Sequence, residues 1–309
     1  MRMPIVPIIP IAPCRQRGFT LVEAVMTIVI VGIIGGMLAV FIQAPVQGYA
    51  DSLARAELTD TADLALRRMA RDLRMALPNS IRVNPAGDTI EMLLTRTGGR
   101  YLAAEDDVDN LPVLDFIDPA NIRLTVVGAL PGPEQLTPGR DYFVVYNLGP
   151  GFEPANAYDL SSPQRNIAQV ASVDVPGNAL VLADNPFANQ LPPLPSPSGR
   201  FQIVSGAVTY SCALEPDGTT RLLTRQSGYP ITSAQQDDPV RTSGRGQRNL
   251  LAGRVKSCRF DYQSLASQRS ALVILALELQ PRLLAARPAS NSTEATVNLV
   301  HQVHVGNTP

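Results

Sequence analysis

The first part of the chain is one long apolar run. Residues 24–42 are all apolar or glycine apart from Thr27, and no charged residue lies between Glu23 and Asp51. At about 1.5 Å per residue, such a run in helical form crosses about 30 Å, which is the thickness of the hydrocarbon core of a bilayer. The pattern predicts a helix that spans a membrane over residues 24–46.

The pattern changes to an amphipathic stripe over residues 51–77. Apolar residues recur there at steps of three and four, which is typical of one buried helix face: Leu58, Ala62, Ala65, Met69, Leu73 and Ala76. Asp63 and Arg67 have the spacing of a helical ion pair. Pro78 disfavours helix at the residue before it, so we expect one helix over residues 19–77, loosened or kinked at Pro45 and the glycines.

From residue 80 onward the apolar residues alternate with polar ones, which predicts strands. The candidates are 80–84, 89–95, 122–127, 142–147, 167–175, 178–184, 201–214, 219–225, 254–262, 271–280 and 294–305. Turn residues separate paired runs at 175–178 and 215–218. The Pro-rich stretch 185–200 and the polar stretch 228–253 are expected to be long loops, either partner-binding edges or plain surface. The fold class is therefore α+β, with the helix packed on an antiparallel, β-rich globular domain of residues 78–309.

The charges before the apolar run give its orientation. Arg2, Arg15 and Arg17 precede it, whereas mixed charges follow, so the positive-inside rule predicts that the bulk of the chain is exported. A cleaved signal peptide is one alternative, although it needs a shorter apolar core and a small-residue cleavage site. A lipoprotein is another alternative, in which Cys14 would be the lipid-modified residue, but the proline directly before it fits that site poorly.

Composition argues against several other classes of protein. The chain has 26 basic and 27 acidic residues, which gives no support to nucleic-acid binding driven by overall charge. Two histidines leave little material for a multi-histidine metal site, and no catalytic motif is present, so we expect neither an enzyme nor a cofactor.

The arginines at 67, 68, 71 and 74 are expected on a solvated helix face. The acidic run 105–109 is either a calcium ligand set or a solvated loop, the latter favoured because the EF-hand spacing is absent.

The segment Arg17-Gly18-Phe19-Thr20-Leu21-Val22-Glu23 resembles the processing motif of type IV prepilins and type II secretion pseudopilins. The resemblance implies that a prepilin peptidase removes a leader, residues 1–18, by cutting between Gly18 and Phe19. It further implies N-methylation of Phe19, one span in the bacterial inner membrane, a periplasmic C-terminal domain, and other pilin subunits as partners. This leader is longer and more apolar than is common in the family.

Glu23 is the acidic residue at the edge of the apolar run. A carboxylate there is costly unless it is neutralised. Cleavage would create a positive α-amino group on Phe19, so Glu23 of one subunit is expected beside Phe19 of a neighbour. The alternative is that Glu23 simply lies at headgroup level.

A longer resemblance involves residues 41–43, 47–49, 65–80 and 253–262. These segments are similar to minor pilins of mannose-sensitive haemagglutinin (MSHA) pilus biogenesis, which implies a subunit that helps to build or cap a pilus. A large minor pseudopilin of a type II secretion system shares the same N-terminus, and an exported, membrane-anchored enzyme is a third class.

Two cysteines lie on strands of the expected domain. Alternation places the thiols of Cys212 and Cys258 on apolar faces, while Cys14 belongs to the leader. An exported domain folds in an oxidising compartment, so a Cys212–Cys258 disulfide is predicted. The alternative is two unpaired core thiols.

Overall fold

The structure is a computed structural model, which describes residues 18–106, 109–132, 134–214, 218, 221–263, 269–280 and 296–309. One long helix, α1 (Leu21–Arg74), is followed by antiparallel strands, which confirms the α+β class. The strands are β1 (Arg82–Val83), β2 (Thr89–Tyr101), β3 (Arg123–Val127), β4 (Tyr142–Val144), β5 (Ile167–Asp174), β6 (Ala179–Leu182), β7 (Arg200–Ser211), β8 (Leu223–Ser227), β9 (Gln247–Ala252), β10 (Val255–Gln263), β11 (Ser270–Leu279) and β12 (Val297–Gly306). A short helix, α2 (Pro239–Ser243), precedes β9, and 3-10 turns occupy Ala104–Asp106 and Pro186–Asn189.

The chain divides into two compact units between Leu53 and Ala54. The first unit contains the apolar part of α1, and the second contains the amphipathic part together with all of the strands above. Helical geometry continues through Pro45, which has no N–H to donate to the preceding turn.

Helix α1 ends at Arg74, three residues before the predicted end at Leu77. The backbone N–H of Leu77 donates to the Leu93 carbonyl at 2.8 Å, and the N–H of Thr95 donates to the Met75 carbonyl at 2.8 Å. The residues just before Pro78 therefore pair with β2 instead of completing another helical turn.

In the described part of the chain, nine strands form one sheet in the order β1-β2-β3-β6-β5-β4-β7-β8-β9. Strands β2 and β7 also pair with each other, so β2, β3, β6, β5, β4 and β7 close into a ring. The ring encloses its own hydrophobic core, in which the Phe143 and Phe201 rings stack with centroids 4.8 Å apart. Residues 102–199 thus supply most of a separate barrel-like layer.

A second, three-stranded sheet has the order β10-β11-β12. Alternate residues of β11 are buried and pack with the stripe of α1, which confirms the predicted helix face. The buried helix residues are Leu58, Ala62, Ala65, Leu66, Met69, Ala70 and Leu73, and Ala76 is partly buried. Burial of these side chains from both elements is the main force that holds the helix on the sheet.

Most predicted strands are present, with shifted ends, and the turn at 175–178 is confirmed by the Asn178 N–H that donates to the Val175 carbonyl. The prediction that 228–253 is a loop was wrong, because this stretch contains α2 and β9, and β9 pairs with β8.

The strand expected at 89–95 continues to Tyr101. A Cβ at Gly99 would lie 2.8 Å from the Phe201 ring, so glycine here permits close packing rather than a turn. Some predicted features lie outside the described residues. These are residues 215–217 of the turn, the strand ends at 219–220 and 294–295, and residues 107–108 of the acidic run 105–109.

Candidate processing and assembly site

The proposed cleavage position lies in a short exposed segment just before α1. Gly18, Phe19 and Thr20 are non-helical and exposed, and Phe19 keeps 74% of its surface accessible. A protease binds its substrate in an extended conformation most readily where the backbone is not already helical. The structure therefore leaves the Gly18–Phe19 bond sterically accessible.

Thr20 caps the helix, a role that was not predicted from the sequence. Its Oγ1 accepts a hydrogen bond from the backbone N–H of Glu23 at 3.3 Å, and its carbonyl accepts from the N–H of Ala24 at 3.1 Å. Threonine followed three residues later by glutamate is the sequence pattern of a capping box, so the signal was present in the motif itself. The cap defines where the helix begins, two residues after Phe19.

Glu23 lies in the first turn of α1 and is exposed. The N-terminal end of a helix carries partial positive charge, which stabilises a nearby carboxylate. Since the side chain is not enclosed by its own subunit, the carboxylate is accessible to a charge on another molecule.

The apolar segment of α1 has the length and composition of a membrane span. Residues Leu21–Ala39 have a mean hydropathy of 2.4, and none of them is buried, so this is not the core helix of a soluble domain. Thr27 is the polar residue in the run, and its hydroxyl donates to the carbonyls of Glu23 and Ala24, both at 2.9 Å. That internal bond removes the cost of placing a free hydroxyl in hydrocarbon.

The amphipathic part of α1 is fastened to the sheet through a buried carboxylate. Asp72 accepts hydrogen bonds from the Tyr210 hydroxyl and the Arg225 Nε, both at 2.7 Å, and its other oxygen lies 3.7 Å from the Arg68 Nε. Burial, together with the neighbouring Asp72 charge, raises the pKa of Tyr210 well above its ordinary value, so this hydroxyl stays protonated and donates. Arg225 compensates the charge of Asp72, so these residues form a buried polar contact between the helix and the sheet, in addition to the apolar packing.

A second buried carboxylate, Glu91, lies on β2. It accepts from Arg82 Nε at 2.7 Å and from the Tyr229 hydroxyl at 3.1 Å. Burial raises the pKa of Glu91, while Arg82 and Tyr229 oppose that rise. The Arg82 guanidinium also donates to the carbonyls of Thr232 and Ser233, so the pair holds the segment after β8 against β1 and β2.

The structure joins Cys212 to Cys258 by a disulfide, with Cα atoms 6.1 Å apart. This separation is within the normal range for a bridge. Cys212 directly follows β7 and is fully buried, and Cys258 lies on β10 beside the same core. The bond therefore links the nine-stranded sheet to the three-stranded one.

Other candidate residues do not converge. His301 lies on the face of β12 that packs towards α1, and His304 lies on the opposite, exposed face. Among the described residues, no group of three histidine, cysteine, aspartate or glutamate side chains has the geometry of a metal site. The arginines at 67, 68, 71 and 74 are exposed, as expected, and Arg67 pairs with Asp63 at 2.7 Å.

Comparison with known proteins bears on the N-terminal segment. Residues 13–39 match the family model described as the prokaryotic N-terminal methylation motif. No curated protein and no solved structure matches the chain. The motif implies processing by a prepilin peptidase and association with pilins in general, and with the exposed apolar helix it fits a membrane-anchored pilin. It supports a structural subunit of the type IV pilin and pseudopilin family.

Proposed function

We propose that this chain is a minor pilin-like subunit that assembles or caps a type IV pilus of the MSHA type. A prepilin peptidase cuts between Gly18 and Phe19, and Phe19 is then N-methylated. The α1 span makes a single pass through the bacterial inner membrane, with residues 54–309 in the periplasm, until the subunit enters the filament.

The observation that carries this proposal is the unbroken succession at the N-terminus. An accessible Gly18–Phe19 bond is followed by a capped helix start, then by an apolar helix with no buried residue. A secretory signal peptide would be removed after its apolar core, whereas the proposed cut between Gly18 and Phe19 lies before it. The match of residues 13–39 to the methylation motif supports this order. The retained helix is then available to pack with the helices of other subunits.

Glu23 is proposed as the assembly residue. Its carboxylate is exposed on the isolated chain, at a depth where an unpaired charge is expensive once lipid or other helices surround it. The new α-amino group of a neighbouring Phe19 would neutralise it. This pairing would favour a defined axial step between adjacent helices.

The size of the exported unit supports a minor rather than a shaft-forming role. Residues 102–199 contribute most of a barrel-like layer with its own core. A subunit with this additional bulk is hard to stack closely on identical copies along a shaft. The segments 41–43, 47–49, 65–80 and 253–262, which resemble the MSHA pilus biogenesis protein MshO, agree with this role.

A large minor pseudopilin of a type II secretion system is the second candidate. The methylation motif supports it equally, because both systems use the same processing chemistry. Deletion of the gene separates the two functions. Loss of surface pili with normal export of secreted enzymes supports the pilus assignment, whereas enzymes trapped in the periplasm support the secretion assignment.

Immunogold labelling of sheared filaments tests the minor-subunit proposal. An antibody against residues 241–250 is suitable because all ten are exposed. Sparse or terminal label is the expected result. Dense, even decoration along the shaft would contradict the proposal.

A further inference from the structure

A basic recess lies where the last turns of α1 meet the edge of the three-stranded sheet. It has a volume of about 350 Å³ and is lined by Arg67, Ala70, Arg71, Arg74, Met75 and His301. All of these residues belong to the unit of residues 54–309. This feature is therefore independent of the N-terminal site and of the proposed function.

Positive charge exceeds negative charge in the recess. Asp63 pairs with Arg67 at 2.7 Å, but Asp72 points to the other side of the helix, where Tyr210 and Arg225 bind it. Arg71 and Arg74 have no ion-pair partner among the residues that the structure describes. Two exposed guanidinium groups thus remain to bind an anion.

Arginines in the last turn also stabilise the helix C-terminus through the macrodipole, which is a purely structural role. That role does not account for Arg67, a full turn earlier, or for the participation of His301 from β12 in the same recess. Planar guanidinium groups bind carboxylates through paired hydrogen bonds, so the lining suits carboxylate side chains.

The recess borders an edge strand. In the described part of the chain β12 pairs with β11 alone, so one side of its backbone is left without a neighbouring strand. Val300, on the outer face of β12, is 60% exposed. An unpaired edge binds an extended backbone, which a small anion does not have.

We propose that this recess and the β12 edge together bind an acidic extended segment of another polypeptide chain. The segment's backbone pairs with β12, and its carboxylates on one face reach Arg71 and Arg74. Since side chains of a strand alternate between faces, acidic residues at every second position match this geometry.

Fluorescence anisotropy of a labelled peptide tests the inference on the full chain in an uncharged detergent. The probe is about ten residues long, with Asp alternating with Val, and its partner probe has Asn in place of each Asp. The acidic probe should bind, and the double variant Arg71→Gln, Arg74→Gln should weaken it at least tenfold. Arg55→Gln, an exposed arginine more than four turns before Arg71 on α1, is the matched control and should bind as the wild type does.

Three further measurements separate the possible outcomes. A double variant Arg71→Glu, Arg74→Glu should instead bind a peptide with Lys in place of Asp, which a misfolded protein would not do. N-methylation of alternate peptide amides should weaken binding, because it removes donors to β12. Equal binding of the Asn probe, wild-type affinity in the Gln double variant, indifference to N-methylation, or displacement by citrate at the same carboxylate concentration would each overturn the inference.

Discussion

Removal of the Asp72 carboxylate tests how the helix is held on the sheet. Asp72→Ala leaves the Tyr210 hydroxyl without its acceptor and leaves Arg225, whose side chain is only 13% exposed, without a counter-charge. Breaking a buried ion pair from one side costs about 3–5 kcal/mol. Because Arg225 retains some access to water, we expect a loss of about 3 kcal/mol, a large fraction of a typical domain's stability of about 5–15 kcal/mol.

Asp63→Ala is the matched control for this prediction. Asp63 lies on the same helix and also pairs with an arginine four residues later, but both side chains are substantially exposed, at 41% and 70%. An exposed helical pair contributes only about 0.3–0.5 kcal/mol. Asp72→Asn should fall between the two variants, since the amide oxygen still accepts a hydrogen bond while the charge is lost.

Urea unfolding followed by near-ultraviolet circular dichroism gives the free energies. Seven of the eight tyrosines lie within residues 54–309 and tryptophan is absent, so the signal reports on that unit. The full chain is measured in a fixed concentration of uncharged detergent. If Asp72→Ala costs no more than Asp63→Ala, the buried network does not anchor the helix and the reasoning fails.

Four other predictions follow from the structure and the motif. Gly18→Glu should leave a full-length, membrane-bound precursor, and normal shortening on an immunoblot would contradict the proposed cut. Glu23→Val should still be cleaved but be depleted from sheared filaments, so recovery at the wild-type level would refute the pairing with Phe19. Non-reducing mass spectrometry of the exported protein should detect a peptide that joins Cys212 to Cys258, a bridge worth about 4 kcal/mol in the chain-entropy model; two alkylated thiols would rule it out. Burial raises the pKa of Glu91 above its ordinary 4.5, so the folded state favours the protonated carboxyl. The stability that this contributes is fully present below the unfolded pKa and is lost as pH rises through the folded pKa. The unfolding free energy of Glu91→Gln relative to wild type should therefore increase between about pH 4 and pH 7, and a constant difference would contradict the assignment.

The periodic spacing of apolar residues along the sequence predicted which faces of the helix and strands are buried. The three- and four-residue spacing of Leu58 to Leu73 identified the buried helix face, and alternation predicted the strand that is β11 in the structure. Alternation also placed Cys212, which directly follows β7, and Cys258, on β10, on core-facing sides. In each case a single period decides which side chains are buried.

Other features depend on contacts that are distant in sequence. Asp72 resembles an ordinary surface aspartate until Tyr210 and Arg225, 138 and 153 residues later, are brought to it. Strand β9 was missed because most of its side chains are exposed, so it has no alternating pattern. The ring closed by β2 and β7 likewise requires pairings across 100 residues or more, which no local pattern encodes.

The N-terminus of the mature protein tests the central claim most directly. Intact-mass and N-terminal fragment analysis of the protein purified from membranes should give a chain that begins at N-methylated Phe19 and retains the apolar helix through Ala39. A chain that retains residues 1–18, or one that begins after the apolar segment, would contradict processing as a pilin-like subunit.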